Sequence, residues 1–228
     1  MRIRRSWQMA AFASLAILAA GARAASVSYL LDQSNADPLV ADGQPYVSVT
    51  VADGPAGAIG FTVSVLPSLT GIASNNFGLK SFAFSSRGAA EVLLLSHIVG
   101  LPAGWSISFG SSGGDFGIFD VVLARGPSAA PLSPQLAFSI TGVSSDSIAD
   151  YLVLSHGRAA EGRADYAARV AGFLDQDPGR RQLTTAWFGG SRLVTGTNIV
   201  PLPGAAWLLA SAISWLAAAR RRRGPPAI

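Results

Sequence analysis

The sequence predicts an all-β protein: a β-sandwich of jelly-roll type, flanked by an N-terminal signal peptide and a C-terminal transmembrane helix. Three observations lead there. Short central runs alternate apolar and small polar residues, the period of a half-buried strand. Glycine- and proline-bearing turn signals separate those runs. Both ends differ from the middle, each pairing an uncharged apolar stretch with arginines.

The strands follow in order. Val27–Leu31 opens the domain. Val47, Val49 and Val51 alternate with Ser48 and Thr50, and Phe61, Val63 and Val65 with Thr62 and Ser64. Leu79–Phe84 and Val92–Ile98 are apolar runs. Trp105, Ile107 and Phe109 alternate with Ser106 and Ser108, and Leu136, Phe138 and Ile140 repeat the pattern. Phe116–Leu123, Tyr151–Leu154 and Thr185–Phe188 complete the set. Turn signals stand at Asp42-Gly43, Asp53-Gly54, Pro102 to Gly104, Gly113-Gly114, Gly126-Pro127 and Asp177 to Gly179. About ten strands punctuated this way fit a sandwich. Ala159 to Val170 is alanine-rich but contains Gly162, and both a short helix and an irregular edge fit it.

Composition narrows the partners. The 228 residues are 50% apolar and 13% charged, too apolar for disorder. The net charge of +4 belongs to the ends: Arg2, Arg4, Arg5 and Arg23 at the start, Arg220, Arg221, Arg222 and Arg223 near the finish. Between them lie 9 basic and 13 acidic residues, a balance of −4. An acidic domain repels a phosphate backbone, so no nucleic-acid partner is expected. The chain has no cysteine, which excludes disulfides and thiolate chemistry. Stability must come from burial, and a domain of roughly 175 residues buries about 70% of its unfolded surface.

Residues 1–24 have the form of a signal peptide. A basic stretch, Met1 to Met9, precedes the apolar run Ala10 to Gly21, which is too short to span a bilayer. Ala22-Arg23-Ala24 supplies the small-x-small pattern that signal peptidase requires, placing cleavage between Ala24 and Ala25. At the other end, Val200-Pro201-Leu202-Pro203 precedes an uncharged apolar run from Gly204 to Ala219, then the four arginines and a short tail, 224–228. As a helix, the run reaches about 24 Å against a core of about 30 Å, so spanning requires local thinning, or Pro203 and the arginines at the interfaces. Four arginines resist transfer and stay cytoplasmic, which puts the central domain outside. The signal peptide gives the same topology.

This three-part tail, Val200 to Arg223, resembles the PEP-CTERM sorting signal in its Val-Pro-Leu-Pro variant. Leu202 stands where the commoner form has Glu, and Gly204 where the variant often has Ala. The resemblance implies recognition by exosortase, a membrane-embedded cysteine-protease-like sorting enzyme of exopolysaccharide-making Gram-negative bacteria. It also implies removal of the helix and release to the cell envelope or extracellular matrix. The central region is similar to the domain often found ahead of this tail, through Leu101 to Ser106, Phe116 to Val122, Leu136 to Gly142, Ala167 to Phe173 and Phe188 to Ser191. Members often carry Ala-His-Val where this chain has Ala168-Arg169-Val170, so the resemblance transfers no histidine-based site.

Other chemistry finds little footing. Gly110-Ser111-Ser112-Gly113-Gly114 fits the Gly-x-Ser-x-Gly pattern, but a nucleophile elbow needs a following helix, and a strand-like run follows instead. A hairpin loop is the expectation. His97 sits in an apolar run and reads as a strand residue; His156 precedes Gly157 and reads as a strand end or loop. Neither belongs to a zinc-like spacing. Asp175 and Asp177 begin like a calcium loop but lack the distal bidentate Glu. Asp115 and Asp120, five apart in a strand, point to opposite faces and make no glycosidase pair. Trp105, Tyr151, Tyr166 and Trp187 are the aromatics available for sugar stacking, and most are expected in the core.

The expectation is therefore an exported structural or interaction protein of the envelope or exopolysaccharide matrix. Its precursor is anchored in the inner membrane, and signal peptidase and exosortase are its processing partners. No catalytic set and no cofactor are expected. The alternative is a lectin-like module that binds exopolysaccharide, with calcium assistance at Asp175 and Asp177.

Overall fold

The computed structural model describes residues 25–36, 40–87, 95–126, 131–174 and 184–194, and chain contacts gather Ala25–Thr197 into one compact unit. The expected signal peptide (Ala22 and Ala24 included), the sorting motif Val200 to Pro203, the helix, the arginines Arg220 to Arg223, and Asp175 with Asp177 lie outside the described residues. Among the described residues no helix is long and apolar enough to cross a membrane.

The described residues are all-β, built of two antiparallel six-stranded sheets. In chain order the strands are β1 (Ser26–Leu31), β2 (Gln33–Ser34), β3 (Val47–Asp53), β4 (Ile59–Val65), β5 (Ala73–Phe84), β6 (Ile98–Val99), β7 (Trp105–Ser112), β8 (Ile118–Arg125), β9 (Gln135–Ile140), β10 (Tyr166–Phe173), β11 (Thr185–Gly190) and β12 (Arg192–Val194). The first sheet runs β12-β1-β3-β4-β9-β6, the second β2-β11-β10-β5-β8-β7.

The alternation read from the sequence becomes the packing of the first sheet. Val47, Val49 and Val51 are buried in β3, Phe61 and Val63 in β4, and Leu136, Phe138 and Ile140 in β9. Across the gap lie Phe82, Phe84, Val121, Leu123, Tyr166, Val170 and Phe188 of the second sheet, all in the same apolar cluster. Phe61 ties the sheets together: its ring centroid is 4.8 Å from Phe138 in its own sheet and 5.1 Å from Phe84 in the other. Such pairs add about 0.5–1.5 kcal/mol beyond area burial.

Part of the second sheet's other face is buried too. Ala83, Phe116, Phe119, Val122, Ala164 and Ala167 form a small second core, with Trp187 packed against it. Buried Ser155 fastens the covering segment: its hydroxyl donates to the Phe116 carbonyl at 2.5 Å and accepts from the Ala164 N–H at 3.3 Å.

Several expectations are corrected here. The undecided segment Ala159 to Val170 is loop as far as Asp165, and then becomes β10, between β11 and β5. Register shifts occur along β10 where it faces β5. Gly172, at φ +86°, sits at one of them, and a Cβ there would overlap the Asn76 carbonyl. Tyr151–Leu154 is not a strand: Tyr151 closes a 3-10 turn, Ile148–Tyr151, held by a reciprocal Ser147/Asp150 capping box. Within the predicted Val92–Ile98 strand, Leu95–His97 is also a 3-10 turn, so His97 is not a strand residue, and β6 follows it. Phe116 belongs to the 3-10 turn Gly114–Phe116, and its strand starts two residues later at Ile118.

Candidate functional site

Two outer faces and two side-chain clusters are the candidates. The outer face of the first sheet carries small residues in register: Ser28 beside Thr50, Thr50 beside Thr62, Thr62 beside Ala137. The Ser28 and Thr50 hydroxyls are 2.9 Å apart. A shallow cleft of about 390 Å³ crosses this face, lined among others by Thr50, Gly60, Thr62, Ala137, Ser139 and Val99. Among the described residues no ionisable side chain lines it, and Thr50, Thr62 and Ser139 offer it hydroxyl contacts.

The outer face of the second sheet carries a more varied set. Trp187 of β11 is half-buried and stands in register beside Arg169 of β10. Asn35, just past β2, clamps the Trp187 backbone: its N–H donates to the Trp187 carbonyl at 3.1 Å, and its Oδ1 accepts the Trp187 N–H at 2.8 Å. The Asn35 Nδ2 then donates to Asp115 Oδ2 at 2.8 Å. The Arg169 Nε donates to Thr185 Oγ1 at 2.8 Å. Gly114 makes room for the indole, since a Cβ at that φ of +69° would lie 2.6 Å from Trp187 Cγ and Cδ1. The result is a positioned indole beside a guanidinium, an amide and a carboxylate. A flat apolar surface flanked by fixed donors and acceptors is what a sugar ring requires: C–H faces stack and hydroxyls bond.

A third group fastens the segment after β9. Tyr151 donates its hydroxyl to Asp146 Oδ2 at 2.7 Å, and the Ser147 hydroxyl donates to Asp150 Oδ2 at 2.6 Å. Burial raises the Asp146 carboxyl above the ordinary carboxylate range, against the Tyr151 and Ser147 hydrogen bonds that lower it; the nearby Asp150 charge adds to the rise and His97 opposes it. These groups hold one another.

The fourth group is the start of the described chain. Exposed Ala25 places its backbone N 3.3 Å from Asp53 Oδ2 and accepts the Asp53 N–H at 2.9 Å, which starts the pairing of β1 with the end of β3.

The remaining sequence candidates separate in space and role. Ser111 and Ser112 end β7, and the chain turns through Gly114–Phe116 into its antiparallel partner β8, so Gly110 to Gly114 lies in a hairpin. Asp115 is in that turn with Asn35, whereas Asp120 is in β8, accepting the Ser86 N–H at 3.0 Å. His156 forms an isolated bridge with Ile118. Among the described residues no three His, Asp or Glu side chains gather as a metal site. Tyr151 and Tyr166 are core, 1% and 0% exposed, while Trp105 and Trp187 remain half-buried. Sequence reasoning missed Asn35 and Arg169. The Asn35–Trp187 contact spans 152 positions, and no local pattern signals it. Compared with protein-family models, curated proteins and solved structures, the chain matches none of them.

Proposed function

We propose that this is an exported structural or interaction protein of the cell envelope or exopolysaccharide matrix, made as a membrane-anchored precursor and sorted by exosortase. The observation that carries the proposal is the order of the tail: Val200 to Pro203, an uncharged apolar run, then Arg220 to Arg223. Support comes from the other end, where β1 begins at Ser26, two residues after the expected cleavage site at Ala24. The compact unit Ala25–Thr197 is in keeping with an extracytoplasmic domain between two removable ends. Its two sheets are read as a sandwich of jelly-roll type, supported by chain crossings between them at β4–β5 and β8–β9.

Deleting Val200 to Arg223 from the gene tests the assignment in cells. The truncated protein is expected to leave the membrane and envelope fractions and accumulate in the periplasm. Unchanged distribution by fractionation would remove the proposal.

A second activity, favoured by the Trp187 face, is binding of matrix polysaccharide. The balance of −4 in the domain points to neutral glycans over polyuronates. Native electrophoresis through gels containing galactomannan or a soluble β-glucan measures it. Retardation is expected in one of these, falling about tenfold in apparent affinity for Trp187→Ala and less for Trp187→Phe. Equal mobility in every gel removes the glycan reading.

A further inference from the structure

Among the described residues the second sheet ends at β7, and none of the eight β7 residues is buried. The strand has the composition of an inner one: Trp-Ser-Ile-Ser-Phe-Gly-Ser-Ser, without a charge or a proline. Trp105, Ile107 and Phe109 lie in register with Arg125, Leu123 and Val121 of β8. Leu123 and Val121 are fully buried in the core between the sheets, so these three β7 side chains share the core-facing side. The first two pack partly against that core, but Phe109 remains 46% exposed. An edge strand of this kind usually carries a lysine, a proline or an inward charge that blocks further pairing. The stretch Trp105–Phe109 has none; Gly110, at φ +59°, ends its regular part.

We infer that the free edge of β7 pairs antiparallel with β7 of a second copy of this chain, joining two second sheets into one across a two-fold axis at Ile107. The sequence of the strand selects this occupant. With Ile107 opposite Ile107 of the partner subunit, Trp105 meets Phe109 of the partner subunit, and Ser106 meets Ser108 of the partner subunit. Every apolar side chain then has an apolar neighbour on the core-facing side, and no like charges meet. Aromatic cross-strand pairs are among the more stabilising ones. The two-fold gives an isologous interface that closes at a dimer. The inference stands apart from the sorting proposal, since edge pairing needs neither tail nor glycan.

The test uses the full chain, purified from its native cells in mild detergent. Because the chain contains no cysteine, Ile107→Cys introduces a single thiol at the axis. Mild oxidation is expected to give a covalent dimer from Ile107→Cys and none from Thr62→Cys, which lies on the outer face of the other sheet. Light scattering should show a dimer whose dissociation constant rises at least tenfold in Phe109→Lys, a substitution at an already exposed side chain. Cross-linking of Ile107→Cys alone still supports the pairing if Phe109→Lys fails to fold. A monomer at all concentrations overturns the inference. So does a dimer that Phe109→Lys leaves unchanged while Ile107→Cys does not cross-link.

Discussion

Raising the pH above about 10 is expected to unfold the β-domain steeply, with Tyr151 and Tyr166 as the cause. Both are fully buried. Burial raises the Tyr166 phenol well above the ordinary tyrosine range, with Tyr29 and Asp165 adding to it. Burial likewise raises Tyr151, helped by its hydrogen bond to Asp146 and the charges of Asp146 and Asp150. Both hydroxyls donate in the folded state: Tyr166 to the Tyr151 carbonyl at 2.9 Å, Tyr151 to Asp146. Phenolate would forfeit the donated proton and bury a charge. The sign follows from linkage. A group whose folded pKa is raised contributes stability that is fully present below its unfolded pKa, here about 10, and is lost as pH rises beyond it. Two tyrosines withheld from ionising together cost about 5 kcal/mol at pH 12, a large part of the roughly 5–15 kcal/mol that holds a typical domain. Tyrosinate absorbance and circular dichroism, followed together, check this. They should change in a single cooperative step, shifted to higher pH in Tyr166→Phe. Tyrosinate appearing gradually near pH 10 with the fold intact would contradict the burial.

Replacing Phe61 by alanine is expected to cost about 3–5 kcal/mol, the range for a buried aromatic whose cavity cannot collapse. The ring is 1% exposed and stacks on Phe138 at an interplanar angle of 4°. It also meets Tyr151 edge-on at 5.3 Å, so the loss reaches the turn that Tyr151 closes. Relaxation is limited because β3 and β9 pin β4 from both sides. The neighbouring Thr62→Ala, exposed on the outer face, should stay within about 0.5 kcal/mol. Chemical denaturation of the two variants separates them; similar midpoints would mean that Phe61 does not join the sheets as described.

The strands that were legible in the sequence are those with one face on the core and the other on small polar residues. In β3, β4 and β9 the burial follows the alternation of Val, Phe and Leu with Ser and Thr, because only one side of the first sheet is covered. The strand β10 escaped for the opposite reason. Ala167 joins the outer cluster and Ala168 the inner one, so both faces are buried and the period vanishes into an alanine-rich run that resembles a helix. Short apolar segments misled in another way: Leu95–His97 and Ile148–Tyr151 form turns, the latter because capping side chains three residues apart satisfy its first N–H groups locally. The Trp187 face was half legible. Its aromatic was visible as a candidate, but Asn35 and Asp115 reach it only through the order of strands in the second sheet.

The central claim concerns the two ends, and the mass of the mature protein tests it most directly. Intact-mass analysis with terminal peptide mapping of protein recovered from native cells should give a chain that begins at Ala25. That chain should end between Val200 and Gly204, with any added mass on the new end marking attachment to a glycan or lipid. A chain that still carries Trp207 to Arg223 contradicts exosortase processing and leaves an ordinary membrane anchor in its place.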